Sequence, residues 1–166
     1  SDYRMAEQSF KITENLSKAQ KYQNFLVQYE ALIENETDLI GIMANTAAAL
    51  KEAFDFFWVG FYLVKDGQLT IGPFQGSVAC YRIKKGRGVC GTAWDKEQTL
   101  VVPDVDQFAG HIACSSLSRS EIVVPLFQQK EVIGVLDIDS DQLADFDDTD
   151  RIYLEKAMQI MMKTQI

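Results

Sequence analysis

The sequence predicts one α+β domain in which helices pack against a mainly antiparallel sheet. Two helix-period segments open the chain, runs of β-branched and aromatic residues follow as hairpins, and a helix closes it. The 166 residues are enough for one domain with a full-sized core. We expect a flexible N-terminal segment over residues 1–15 and a single domain over residues 16–166.

Three longer segments carry helical signals. Apolar residues recur at helical spacing over about residues 16–34 and again over residues 38–54, where a threonine or an aspartate can cap the second helix. The acidic run at residues 147–150 predicts the cap of a last helix over about residues 151–163. These helices supply the layer that covers the sheet.

The strands form two predicted hairpins. Asp66–Gly67 is the strongest hairpin signal in the chain, and a tight turn near Gln129 joins the second pair. Each flanking segment is rich in valine, isoleucine or aromatic residues. The four strands are residues 56–64, 68–74, 121–128 and 132–140.

The middle of the chain is rich in loops. A glycine-rich turn precedes a short helix over residues 89–95 that contains Cys90, and a short strand covers residues 99–102. Residues 104–120 then form a long connection that holds Cys114. A connection of this length in a compact domain usually carries function or moves.

Composition and charge exclude several classes of protein. A net charge of -8 without a basic stripe argues against nucleic-acid binding. The sequence contains no apolar run long enough to cross a bilayer and no signal-peptide pattern. Three cysteines without a secretion signal indicate a reducing, cytoplasmic setting, and their odd number argues against a purely structural disulfide framework.

Cys114 is the residue that most strongly indicates a reactive site. It lies among small polar residues after Gly110, whereas structural cysteines usually lie within an apolar strand or helix stripe. Such a loop lets a small molecule reach the thiol. Cys90 lies near a helix start, which lowers a thiol pKa and attracts a carboxylate. Cys80 and Cys90 are both candidates to approach Cys114, and spacing alone does not choose between them.

Three acids follow on two paired strands. Asp137 and Asp139 share one face of the last strand with Ile133 and Val135, because strand side chains alternate. Glu121 opens the other strand of the same hairpin, so it is expected close to both aspartates. Carboxylates this close repel each other unless a cation or a shared proton intervenes. The alternative interpretation is a strand end that emerges into solvent.

Trp58 is a candidate wall for a pocket at this place. It shares the alternating face of the first strand with Phe56, Gly60 and Tyr62. Plain core packing is the alternative interpretation.

A zinc site is disfavoured. The candidate ligands contain no close Cys-x-x-Cys pair, and their spacings differ from those of structural sites. They are Cys80, Cys90, His111 and Cys114. We therefore expect no metal, and we place His111 in a loop rather than in the role of ligand or base.

Five segments match one known family. They are GRGVCGTAW at 86–94, VPDV at 102–105, HIACSS at 111–116, SEIVVP at 120–125 and GVLDIDS at 134–140. Together they resemble the free methionine-(R)-sulfoxide reductases, which have a GAF fold. The resemblance extends from about Tyr22 to the last helix. The last strand motif occurs in many GAF domains, but the three cysteines together with the acids are specific.

The resemblance implies the reduction of free L-methionine-(R)-sulfoxide to L-methionine without a bound cofactor. Cys114 would be the nucleophile, Cys80 the main resolving thiol and Cys90 a second thiol. Reduced thioredoxin, supplied ultimately by NADPH, would regenerate the enzyme, and a homodimer is expected because GAF proteins commonly form one. The acids would bind the ammonium and sulfoxide groups and the tryptophan would contact the methyl end: these residues are Trp58, Glu121, Asp137 and Asp139.

Two other functions stay open at this point. One is a non-catalytic GAF module that binds a small ligand, although such modules usually accompany an output domain. The other is a redox sensor whose cysteines respond to an oxidant without a specific substrate. Turnover on methionine sulfoxide distinguishes the reductase from both.

Overall fold

A six-stranded antiparallel sheet forms the centre of the computed structural model, which describes residues 15–112 and 114–164. The strand order is β3-β2-β1-β6-β5-β4. The strands are β1 Trp58–Lys65, β2 Gln68–Gln75, β3 Arg82–Lys84, β4 Leu100–Val102, β5 Ser120–Gln128 and β6 Glu131–Ser140. The α+β prediction is therefore confirmed. Most of the N-terminal segment expected to be flexible, residues 1–14, lies outside the described residues.

Four helices cover this sheet within the described residues. They are α1 Lys18–Ile33, α2 Leu39–Phe54, α3 Gly88–Lys96 and α4 Asp148–Lys163. Ser17 caps α1 and Asp147 caps α4, each through a capping box that satisfies backbone N–H groups of the first turn. The helix α4 begins three residues before the predicted start, because the acidic run forms both its cap and its first turn. No described helix is long and apolar enough to span a membrane.

One face of the sheet holds the main core, between the strands and helices α1, α2 and α4. The phenol of Tyr22 on α1 donates to Asp150 on α4, and Lys18 pairs with the same carboxylate at 2.7 Å. Because Asp150 is buried, its charge needs both partners, and removing one of them costs about 1–3 kcal/mol. This contact joins the first and last helices.

The opposite face holds a second, smaller core and the loop-rich middle of the chain. The helix α3 packs there against β5 and β6, and Trp58 and Tyr62 of β1 face the same way. The polar residues with predicted chemical roles lie in this layer, away from the main core.

The predicted alternation along β6 is wrong at its start. Ile133 packs with the helix-side core, whereas Val132 lies with Val135 on the opposite face. Leu126 pairs with Gly134, and the next residue of β5 pairs with Val132, so Ile133 is the extra residue of a β-bulge. A bulge shifts the alternation by one position, which moves Ile133 off the face of the two aspartates.

Two smaller predictions also need correction. Phe56 packs into the helix-side core and does not share the face of Trp58, because it precedes the regular strand, which begins at Trp58. The glycine-rich turn is preceded by the short edge strand β3, which the sequence did not indicate. The long connection after β4 also contains one turn of 3-10 helix, Val105–Gln107.

Candidate active site

The acids converge because of the register between β5 and β6. Glu121 lies directly opposite Asp139, and Asp137 lies opposite Val123, two residues further along each strand. Asp137 and Glu121 are 5% and 6% exposed. The strand end therefore does not emerge into solvent, and the prediction that the three carboxyls lie together is confirmed.

These carboxyls border one cavity together with the other predicted residues. Its walls come from β1, the turn after β2, the start of α3 and the loop around Cys114. The predicted residues that line it are Trp58, Cys90, His111, Cys114, Glu121, Asp137 and Asp139. The cavity has a volume of about 40 Å³, enough for a few waters.

A disulfide joins the two loops at the mouth of this cavity. It links Cys80 to Cys114 with 5.5 Å between their Cα atoms, an ordinary separation for such a bond. Among the described residues, Cys114 lines the cavity and Cys80 does not. Of the two candidate partners for Cys114, the structure therefore pairs Cys80, and Cys90 is the free cysteine.

Burial raises the pKa of each of the three carboxyls above the usual carboxyl range. Asp137 and Asp139 add charge repulsion to this effect at Glu121, and Asp137 adds it at Asp139. The pKa of Asp137 is also raised by burial, although hydrogen bonds from Glu121 and Cys90 and the charge of His111 oppose that rise. Such a cluster retains a proton near neutral pH.

Cys90 lies at the third position of α3, but its pKa is raised well above the usual value. Burial is the main cause, and the nearby charges of Asp137 and Glu121 add to it. The expectation that the helix start would lower this pKa is wrong, because desolvation and three acids outweigh a partial dipole charge. The thiol lies 3.9 Å from Oε2 of Glu121 and is a donor to the carboxyl cluster.

Trp58 forms a fixed wall of the cavity. Its indole N–H donates to the carbonyl of Ser77 at 2.9 Å, and its ring stacks on Phe74 with 5.2 Å between centroids. Gly76 adopts φ +139°, and a Cβ at that position would lie 2.5 Å from Cδ1 of the indole. Only glycine lets the turn after β2 close over the tryptophan in this way.

Arg87 is a cavity residue that sequence reasoning missed. It lies at the N-cap of α3, between two glycines, and it lines the cavity with Gly88 and Val89. Within the described part of the chain, its side chain makes no capping hydrogen bond to the helix. A cationic side chain beside a helix N-terminus is a site for an anion, and the isolated arginine within the Gly-Arg-Gly motif was the available signal.

One group of cavity residues has the donor atoms for a metal ion. The ligand atoms of Cys90, Glu121 and Asp137 all lie within 4.8 Å of one another. The zinc set considered from sequence is not assembled, because Cys80 and Cys114 are bonded to each other. Asp137 Oδ1 is a buried oxygen without a hydrogen-bond partner among the described residues, so it presents an unsatisfied acceptor to whatever enters.

Comparisons with known proteins agree with this architecture. Residues 38–162 match the GAF domain model. GAF domain-containing protein A of Dictyostelium discoideum is 58% identical over 146 residues, covering 87% of this chain and 92% of that protein. The free methionine-R-sulfoxide reductase of Escherichia coli is 47% identical over 136 residues, covering 81% of this chain and 82% of that enzyme.

A solved structure shares the fold over most of its length. The free methionine-R-sulfoxide reductase of Neisseria meningitidis, determined with its substrate, superimposes with a TM-score of 0.90 at 54% identity and covers 93% of each chain. With the family model and the E. coli relative, this agreement shows that the chain belongs to the free methionine-(R)-sulfoxide reductases of the GAF-domain family.

Proposed function

We propose that this protein reduces free L-methionine-(R)-sulfoxide to L-methionine through the Cys114 thiol. The observation that carries the proposal is the cavity that Cys114 lines together with two buried carboxyls and one half-buried carboxyl, one of which has an unsatisfied oxygen. A sulfoxide substrate needs a thiolate for its sulfur and a proton for its oxygen, and these groups supply both. The relatives named for this reaction support the same activity.

The polar groups of the substrate match the polar groups of the cavity. Asp137 Oδ1 is a free acceptor for the substrate ammonium, which would also neutralise part of the acidic cluster. The substrate carboxylate fits beside Arg87 at the start of α3. Trp58 supplies an apolar surface for the S-methyl group.

The chemical step needs one nucleophile and one acid. With the disulfide reduced, the Cys114 thiolate attacks the sulfoxide sulfur, and Glu121 or Asp139 protonates the departing oxygen. The bond between Cys114 Sγ and the substrate sulfur then breaks as the hydroxyl passes to Sγ, so methionine leaves and a sulfenic acid remains on Cys114. The Cys80 thiol then forms a disulfide with Cys114 and releases water. The sulfoxide gains two electrons, and the two cysteines lose them.

Regeneration needs a dithiol, and we propose reduced thioredoxin, itself reduced ultimately by NADPH. No bound cofactor enters this scheme. Cys90 is a reserve thiol, because it lies in the same cavity but is mostly protonated at neutral pH. A homodimer and a cytoplasmic location stay predictions from sequence.

Selectivity for the free amino acid follows from the same contacts. Three points of contact, with the methyl group at Trp58, the sulfoxide oxygen at the acids and the sulfur at Cys114, would distinguish the R from the S epimer. Within a peptide, the ammonium and the carboxylate are replaced by amides. The buried Asp137 oxygen would then lose its ionic partner, and Arg87 would lose the substrate carboxylate, which together disfavour binding.

A single-turnover experiment tests the proposal. Fully reduced protein is mixed with excess free methionine-(R)-sulfoxide and no reductant, and methionine and thiols are counted. We expect about one methionine for each chain, the loss of two thiols and a mapped Cys80–Cys114 disulfide. Oxidation of the thiols by peroxide without any methionine from the sulfoxide would contradict the proposal and favour a redox sensor.

A further inference from the structure

The two sulfurs of the disulfide face different surroundings. Cys114 lines the acidic cavity, whereas Cys80 is outside the set of described residues that line it. Both cysteines are half-buried, so the bond is reachable from solvent. The carbonyl of Cys80 accepts a hydrogen bond from Tyr62 at 3.1 Å, which fixes the backbone of its loop.

Three exposed apolar side chains lie close in sequence to the two cysteines of the disulfide. Val78 is 88% exposed, Tyr81 75% and Leu117 64%. All three lie within three residues of Cys80 or Cys114 in sequence, and they make up three of the eight large apolar side chains that are exposed among the described residues. Apolar surface concentrated at one place indicates an interaction site rather than scattered exposure.

The same surface is locally basic in an acidic protein. Arg82, Lys84, Lys85 and Arg87 are all exposed and follow Cys80 within seven residues, although the chain has a net charge of -8. Arg82 and Lys84 belong to the edge strand β3, and neither lines the cavity. This cluster attracts an acidic partner and stabilises a thiolate that approaches Cys80.

We propose that Val78, Tyr81, Leu117, Arg82 and Lys84 form the docking surface for a dithiol protein of the thioredoxin class, whose thiolate attacks Cys80. The inference deepens the proposed function and rests on it. The matching partner surface has its reactive thiol within an apolar face that acidic residues border. We call these five residues the redox surface.

The surroundings of the two sulfurs explain why Cys80 is attacked. A thiolate that approaches Cys114 through the cavity meets three carboxyls, which repel it, whereas the approach to Cys80 crosses the basic redox surface. A partner protein is also too large for the cavity. When the partner attacks Cys80, the Cys114 sulfur is the leaving group. It is thereby freed at the wall of the cavity in which the next substrate would bind.

The exchange balances in two steps. The partner thiolate forms a bond with Cys80 Sγ, the Cys80–Cys114 bond breaks and Cys114 leaves as a thiolate. The second thiol of the partner then loses its proton, attacks the partner sulfur of this mixed disulfide and releases Cys80. The partner ends as a disulfide, and this protein ends with both cysteines reduced.

A trapping experiment tests which sulfur is attacked. The oxidised protein is mixed with reduced thioredoxin whose second active-site cysteine is serine, quenched with acid at early times and digested without reduction. We expect the mixed disulfide on Cys80 and a free, alkylatable Cys114. An adduct on Cys114 overturns the assignment of Cys80. No adduct, when dithiothreitol still supports turnover, overturns the thioredoxin-class partner but leaves the reductase function intact.

Surface variants test the docking surface separately. The double variant Tyr81→Ser/Leu117→Ser removes apolar area, and Arg82→Glu/Lys84→Glu reverses charge, without changing a cavity residue. We expect each to raise the KM for thioredoxin about tenfold while dithiothreitol-driven turnover stays constant. Val27→Ser, at an exposed valine of α1, is the matched control. A KM change no larger than that of the control overturns the docking surface.

Discussion

Glu121 and Asp139 lie directly opposite each other on neighbouring antiparallel strands, and both face the cavity. Like charges at directly paired positions destabilise a sheet, and burial increases the cost. Burial is the main cause that raises the pKa of both groups, and Asp137 increases the rise. The pair therefore retains a proton in the cavity that Cys114 also lines.

The first prediction divides the roles of the three acids. Glu121→Gln and Asp139→Asn each keep shape but cannot donate a carboxyl proton, so we expect at least one of them to lower kcat by about 10²–10⁴-fold. Asp137→Asn removes the negative charge that would pair with the ammonium and should mainly raise KM. Steady-state kinetics on free methionine-(R)-sulfoxide separate the two effects. If all three variants change KM alone, acid catalysis by this cluster is wrong.

The second prediction concerns stability and pH. The carboxyls have a higher pKa folded than unfolded, so the folded state binds more protons between those values. Stability of the substrate-free protein therefore falls as pH rises from the ordinary carboxyl range through the raised pKa. Glu121→Gln should raise Tm relative to wild type increasingly with pH, by about 2–4 °C for each kcal/mol gained. A difference in Tm that is constant from pH 4 to pH 9 would contradict this.

The third prediction separates the cysteines. Cys114→Ser should form no methionine, whereas Cys80→Ser should form about one equivalent and then stall. Cys90 can slowly replace the missing thiol, and its raised pKa makes that rescue faster at higher pH. Quenched-flow measurement of methionine and disulfide mapping between pH 7 and pH 9 check both statements. Methionine formed by Cys114→Ser would remove this residue from its role.

The fourth prediction uses two glycines with positive φ. Gly76→Ala places a Cβ against the Trp58 indole, so we expect a loss of stability and a higher KM. Gly67→Ala has the same kind of backbone strain at φ +77° but meets nothing within 4 Å. Urea unfolding and substrate kinetics on both variants separate strain from the effect on the cavity. An equal KM in both variants would show that the position of Trp58 does not matter for binding.

Local rules were enough to predict the convergence of the acids. Strand alternation and a tight hairpin predict that Glu121 lies close to both aspartates, and the bulge at Ile133 then sets its direct pairing with Asp139. The Cys80–Cys114 pair is different, because it depends on where two loops lie after the sheet has formed. From sequence spacing alone, Cys80 and Cys90 were equally good candidates for the disulfide partner of Cys114.

The remaining errors have identifiable physical causes. The bulge at Ile133 arises from pairing between strands, which the alternation of one strand does not contain. The strand β3 has three residues, and among the described strands it pairs only with β2, so it is too short for a periodic signal. Cys90 lies near the start of a helix, as predicted, but its pKa is raised rather than lowered. The cause is burial in the second core, which forms only when the whole domain has folded.

The central claim is that this protein binds free methionine-(R)-sulfoxide in the cavity and reduces its sulfoxide group. Its most direct test is NADPH consumption through thioredoxin and thioredoxin reductase, with four substrates in parallel. These are free methionine-(R)-sulfoxide, the free S epimer, and each epimer within a blocked peptide. We predict turnover on the free R form alone. Equal turnover on the peptide forms would contradict recognition of the ammonium and carboxylate, and no turnover on any form, with dithiothreitol in place of thioredoxin as well, would contradict the reductase function.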